Sequence, residues 1–210
     1  PLRHCASAGE ALPDATRQLW KQATGIEMLD GIGATEMFHT VISSAGAAVR
    51  AGAIGKVVPG YQAKVVDGEG HEVPRGTMGQ LAVIGPTGCR YMDDERQARY
   101  VPDGWNRPGD AFVQDADDYF HYQARDDDMI ITAGYNVGGP EVEDCLLTHP
   151  AVAECGVIGK PDEARGMLIK AFVVLKPGQS GDEALVQALQ EHVKQAIAPY
   201  KYPREIEFVT

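Results

Sequence analysis

Four polar stretches hold the side chains able to bind or react: Ser7-Ala8-Gly9-Glu10, Gly31-Ile32-Gly33-Ala34-Thr35-Glu36, Gly104-Trp105-Asn106-Arg107-Pro108-Gly109-Asp110, and Arg125-Asp126-Asp127-Asp128 running on through Ala133-Gly134 to Pro140-Glu141-Val142-Glu143. They offer carboxylates for hydroxyl or cation recognition, a guanidinium fork for anions, and glycines that let a ligand approach the backbone. Simpler site types fail on inspection. Gly31–Glu36 begins like a dinucleotide fingerprint, but its third glycine position holds Glu36 and no helix-length apolar pattern follows. Gly55-Lys56 and Gly159-Lys160 lack the upstream glycine of a phosphate loop, because Arg50 and Glu154 stand there. No serine sits in a GxSxG elbow, the six histidines show no metal-ligand spacing, and Cys5, Cys89, Cys145 and Cys155 form no CxxC pair. Taken singly, the polar stretches have ordinary readings. They are a Ser-Ala-Gly turn, an N-capping Thr35 with a first-turn Glu36, a turn aspartate at position 110, and a surface ion pair at Arg125.

The elements that carry these stretches change character along the chain. Residues 1–30 read as strand, helix and strand, with Leu2–Ala6 and Ile26–Leu29 flanking a helix over 12–23 whose apolar positions are Leu12, Ala15, Leu19 and Ala23. Residues 53–123 read as short antiparallel strands (Ile54–Val58, Gln62–Val66, Gln80–Ile84, Ala111–Val113, Tyr119–Gln123) joined by turn sequences such as Asp67-Gly68-Glu69-Gly70. Consecutive charges at 125–128 mark a boundary. Beyond it, a helix over 140–148 opened by Pro140 precedes strands Val152–Ile158 and Ile169–Leu175. A capping box at Ser180-Gly181-Asp182-Glu183 then opens a helix to about residue 198, with the stripe Leu185, Leu189, Val193, Ile197, before a last strand from Ile206. The expected class is α/β plus α+β, divided as 1–126 and 127–210. The first part is a βαβ layer and a small antiparallel β-barrel or bent sheet; the second is a small α+β lobe.

Composition narrows the partners. With 210 residues and 44% hydrophobic content the chain can bury a core, and 19 basic against 30 acidic side chains leave a formal charge of −11. That balance argues against nucleic acid or an anionic membrane surface as partner. No apolar run approaches the roughly 20 residues needed to span a bilayer, no signal-peptide pattern is present, and scattered cysteines suit a cytoplasmic setting.

In this order and spacing the four stretches resemble the adenylate-forming superfamily of acyl-CoA synthetases, peptide-synthetase adenylation domains and luciferases, over essentially the whole chain. The strings GIGATEMFHTVIS (31–43) and QARDDDMIITAGYNVGGPEVE (123–143) resemble benzoate- and 2-aminobenzoate-CoA ligases most, while APYKYPR (198–204) is shared with medium-chain acyl-CoA synthetases. The resemblance implies the end of a large AMP-binding lobe followed by a small C-terminal lobe. It implies a small carboxylic acid, ATP/AMP, Mg and coenzyme A as ligands, with a homodimer as one assembly state. It also implies roles. Gly9, Glu10 and Asp30 border the adenine; Thr35 meets the α-phosphate; Glu36 holds Mg; Asp110 accepts the ribose hydroxyls; Arg125 contacts ribose and phosphate. Ile32, Gly33, Met37 and His39 line the acyl pocket, Gly33 leaving it depth. Asp127 is the hinge, and Ala133-Gly134 lines the pantetheine tunnel.

The same resemblance places a Ser/Thr/Gly-rich phosphate loop ahead of residue 1 and the catalytic lysine after residue 210. Lys201 is therefore not that lysine. Since the chain starts at Pro1 and stops within a strand, it reads as an internal fragment expected to be inactive in adenylation. Pro108, Ala124 and Asn136 depart from the family's usual Thr/Ser, Gly and Arg. A carrier-dependent adenylation domain, a medium-chain synthetase and a non-catalytic nucleotide-binding module are the alternative readings.

Overall fold

The computed structural model describes residues 2–9 and 12–210. The chain divides into two compact units, residues 1–122 and 123–210, each with its own apolar core.

In the first unit, β1 (Cys5–Ser7) runs parallel to β2 (Met28–Ala34), with α1 (Asp14–Thr24) between them in sequence. This is the expected strand–helix–strand layer. α1 stops because Gly25 takes the left-handed conformation (φ 71°) and returns its amide to the Lys21 carbonyl at 2.8 Å. The expected apolar stripe of α1 is not buried: Leu19 is 68% exposed. The helix is tied instead through Arg17, which bridges Asp14 and Glu27. After β2 the chain turns through Thr35–Met37 into β3 (His39–Ser43), which pairs with β4 (Lys56–Val57). β3 is an addition to the strands that the sequence pattern marks out. Its β-branched run Thr40-Val41-Ile42 explains it, since such side chains fit a pleated, half-buried surface.

The expected hairpin region forms an open four-stranded sheet rather than a closed barrel. It comprises β5 (Gln62–Val66), β6 (Met78–Ile84), β7 (Asp110–Gln114) and β8 (Phe120–Arg125), in that order. Short α2 (Arg96–Tyr100) lies between β6 and β7 in sequence. Two aspartates fold the turns. Asp67 accepts the amides of Glu69 and His71, and Asp115 those of Asp117 and Tyr119, all at 2.8–3.0 Å. The core beneath gathers Ile42, Leu81, Phe112 and Phe120, with the two phenyl rings edge to face at 6.2 Å. Each such side chain stabilises the fold by about 1.5–3 kcal/mol.

In the second unit, β9 (Ile130–Thr132) and β10 (Tyr135–Val137) form a tight hairpin. α3 (Gly139–Leu147) follows, with Pro140 in its first turn. β11 (Val152–Asp162) and β12 (Gly166–Leu175) make a longer hairpin than the sequence suggests, and β13 (Glu205–Val209) runs parallel to β12. α4 (Glu183–Ala196) starts at Asp182, whose carboxylate accepts the Leu185 amide at 2.9 Å. The expected box led by Ser180 is thus corrected by two residues. Gly181 also has a packing reason, because a Cβ there would meet the Phe208 ring at 2.4 Å. Leu189 and Val193 of α4 are fully buried with Val142 and Leu146 of α3 and Ile169 and Val173 of β12, while Leu185 and Ile197 flank them. Among the described residues no helix is long and apolar enough to cross a membrane.

Candidate active site

β1 ends at Ser7, opposite Asp30 in the middle of β2, where the parallel pairing stops. Open α/β sheets bind ligands outside such strand ends. Gly9 follows β1 at φ 99°, which a side chain would strain. The Asp30 carboxylate accepts the amides of Gly31, at 2.8 Å, and Leu12. Burial outweighs those two bonds and raises its carboxyl above the ordinary value. Glu10, the remaining member of this group, lies outside the described residues.

Thr35 and Glu36 occupy the turn between β2 and β3. Phe38 closes that turn in the left-handed region (φ 56°), its amide donating to the Thr35 carbonyl at 3.3 Å. Met37, 1% exposed, pins the turn to the core, so Thr35 is left exposed and Glu36 half-buried. The Tyr91 hydroxyl donates to Glu36 Oε1. Tyr91 meets the edge of Tyr100 at 5.9 Å, and the Tyr100 hydroxyl is buried with no hydrogen-bond partner among the described residues. Burial pushes the Tyr100 phenol far above its ordinary value, and the negative charges of Glu36, Cys89, Tyr91 and Asp110 add to the shift. Asp110 itself is 8% exposed and opens β7, just after Gly109 at φ 86°. The segment before it is anchored by Asn106, which exchanges backbone bonds with Val83 at 2.8 and 2.9 Å, and by Trp105 beneath the Lys64 ammonium at 4.4 Å.

The candidates for lining an acyl pocket separate. Ile32 is half-buried and packs on the core, and Met37 lies within it. His39 is exposed and stacks on Tyr61 at 5.8 Å. Gly33 answers to crowding: a Cβ there would meet the His39 carbonyl oxygen at 2.4 Å, where the β2–β3 register shifts. Its missing side chain relieves a contact with β3.

In the second unit, Arg125 is exposed and its Nε donates to Asp127 at 3.1 Å. Asp126–Asp128 form one exposed turn, in which the Asp127 side chain is 72% exposed. Ala133 and Gly134 are the two loop residues of the β9–β10 hairpin, both at positive φ (49° and 81°). A two-residue hairpin turn of that hand matches the twist of its strands. Lys201 is engaged with Glu141 at 2.6 Å and so is occupied structurally. Beside it, Tyr200 stacks on Tyr135 at 4.4 Å.

The family described as AMP-binding enzyme matches residues 1–90, and the AMP-binding enzyme C-terminal domain matches residues 141–210. The benzoate–CoA ligase of Thauera aromatica is 43% identical over 99% of this chain and 40% of its own length. The mitochondrial acyl-coenzyme A synthetase ACSM5 of Homo sapiens is 41% identical over all of this chain and 38% of its own. A crystal structure of the anthranilate CoA ligase AuaEII in complex with anthranoyl-AMP superposes with a TM-score of 0.92 at 44% identity, covering 100% of this chain and 41% of that one. The chain belongs to the adenylate-forming family of AMP-binding enzymes. It spans about two fifths of the length of these relatives.

As a member of the adenylate-forming family, the chain has in its first unit a donor set suited to a nucleotide and a cation. A buried carboxylate can accept two hydroxyls, and a second carboxylate is available to a divalent ion that keeps mostly water and phosphate ligands. The Tyr100 hydroxyl is a buried polar group with no hydrogen-bond partner among the described residues. Among the described residues no cluster of three or more metal-ligating side chains exists. Sequence reasoning missed Tyr91 and Tyr100. Their stretch, Cys89–Tyr100, carries no turn or capping signal that ties it to position 36.

Proposed function

We propose that the protein acts in ATP-dependent acid–CoA ligation. The acid's carboxylate attacks the α-phosphorus of ATP and displaces pyrophosphate; the CoA thiol then attacks the resulting acyl-adenylate carbonyl and releases AMP. The observation that carries this reading is that one compact unit holds two carboxylates fixed by the fold, Asp110 buried at the head of β7 and Glu36 held by the Tyr91 hydroxyl. Asp110 accepts the ribose hydroxyls, Thr35 donates to the α-phosphate, and Gly9 and Asp30 border the base. Glu36 would hold Mg²⁺, which neutralises phosphate charge when bound. Arg125 adds a guanidinium for ribose and phosphate. Asp127, exposed in its turn, is the hinge, and the Ala133-Gly134 turn lines the path of the pantetheine arm.

Benzoate or 2-aminobenzoate is the favoured acid, supported by the likeness to the Thauera aromatica ligase and to AuaEII. A medium-chain aliphatic acid is the second reading, supported by the likeness to ACSM5. Four free cysteines suit a reducing, cytoplasmic setting. The test is CoA-thioester synthesis by the product of the complete open reading frame, offered benzoate, 2-aminobenzoate, hexanoate and octanoate in parallel. Preference for the aryl acids is expected. Preference for octanoate moves the acid assignment to the aliphatic branch, and no thioester with any carboxylic acid removes the ligase reading.

A further inference from the structure

Glu36 stands on a turn whose two neighbours are treated in opposite ways: Thr35 is exposed and Met37 is buried. The backbone is thereby fixed, but the carboxylate has its own torsions. A cation held by a single protein carboxylate needs that group in one place.

Tyr91 supplies the restraint. Its hydroxyl donates to Glu36 Oε1, so Oε2 is the oxygen turned over to a further ligand. The tyrosine ring is itself bracketed. The Arg96 guanidinium lies 4.6 Å above it, and Tyr100 meets it edge-on at 87°. The Tyr91 amide donates to the Gln97 side chain at 2.8 Å. Arg96 is held in turn by a bidentate pair with Asp94, at 2.7–3.0 Å. Every part of this bracket comes from residues 91–100, remote in sequence from the turn it steadies.

We propose that Tyr91 is a positioning residue for Glu36, orienting its carboxylate toward the divalent cation of the adenylation step. This rests on the ligase reading. Tyr91→Phe in the complete open reading frame keeps the ring and removes only the hydroxyl. The Mg²⁺ concentration giving half-maximal ATP–pyrophosphate exchange is expected to rise about tenfold, with KM for the acid and the melting temperature unchanged. Glu36→Gln should raise the Mg²⁺ requirement further. If Glu36→Gln shifts that requirement and Tyr91→Phe does not, the positioning role is overturned while the ligase reading stands. If the wild-type protein shows no exchange with any acid, the ligase reading falls instead.

A second measurement needs no turnover and no folded Tyr91 variant. The Tyr91 hydroxyl donates to Glu36 Oε1, so NMR of this chain should show its hydroxyl proton held back from exchange with water in the wild type and released in Glu36→Ala. A Tyr91 hydroxyl proton that exchanges as freely in the wild type as in Glu36→Ala overturns the contact.

Discussion

Glu36 and Gly134 are held in place by opposite means. The first unit fixes its polar groups by side-chain contact: Met37 anchors the turn in the core, Tyr91 grips the carboxylate of Glu36, and Asp110 is buried at the head of β7. The second unit fixes its groups by backbone conformation on an exposed surface. Ala133 and Gly134 sit at positive φ in a two-residue turn, and Asp127 stands in a turn of three exposed aspartates. A bound phosphate ester needs charges that stay put, whereas a segment that must swing or admit a thin ligand needs few packed side chains to break. The contrast matches a division of labour between the two proposed half-reactions.

The largest expected effect separates them. Glu36→Gln should slow ATP–pyrophosphate exchange about a hundredfold, leaving CoA transfer from supplied acyl-adenylate little changed. Gly134→Val should do the reverse: exchange persists while CoA transfer slows about tenfold, as a branched side chain at φ 81° distorts the turn and fills its open side. Equal slowing of both half-reactions by either variant would dissolve the contrast.

Stability sharpens the same comparison. Gly33→Ala places a methyl 2.4 Å from the His39 carbonyl oxygen, against the backbone of His39 and Thr40. A loss of about 2–3 kcal/mol is expected by denaturant unfolding of the first unit. Gly134→Ala meets no atom within 4 Å and carries only the conformational cost of positive φ, about 1 kcal/mol. If the two cost the same, space is not what distinguishes these glycines.

The difference between the units also governs how much the sequence revealed. Turn chemistry and strand alternation mark β5 to β8 well, because Asp67 and Asp115 act through bonds to residues two and four positions ahead. Glu36, Asp110, Arg125 and Gly134 were reached through short motifs whose order resembles a family. The Tyr91–Glu36 contact was not legible, because it joins residues 55 apart and no local pattern encodes it. The apolar positions of α1 misled for a related reason. Periodicity marks a face able to be buried, and Leu19 is left exposed here. In α4 the stripe was right and the cap was two residues late, since Asp182 reaches the Leu185 amide itself.

That cap supplies a smaller, purely structural effect. Asp182→Ala should cost the second unit about 1 kcal/mol, read from its denaturant midpoint, with both half-reactions intact at low temperature. Ser180→Ala should cost nothing measurable. Were Ser180 the sensitive position, α4 would start where the capping box first suggested.

The smallest effect is a pH dependence confined to the second unit. His149 ends the turn after α3, where its Nδ1 accepts the Ala151 amide at 3.3 Å and its ring meets His192 edge-on at 5.3 Å. Burial, then the neighbouring His192 and Lys176, lowers its pKa below the ordinary 6.5. In the unfolded chain the ring takes up its proton at the ordinary value, so below that pH the unfolded state binds more protons than the folded one. The stabilisation is therefore complete above about pH 6.5 and is lost as pH falls through the lower folded value. The second unit should melt slightly earlier at about pH 5.5 than at pH 7.5, before most carboxylates begin to protonate. His149→Gln, which cannot take up that proton, should flatten the profile, whereas Gly33→Ala should lower the first unit's midpoint by the same amount at both pH values. An unchanged slope in His149→Gln would show that the neutral ring of His149 is not what ties the stability of the second unit to pH.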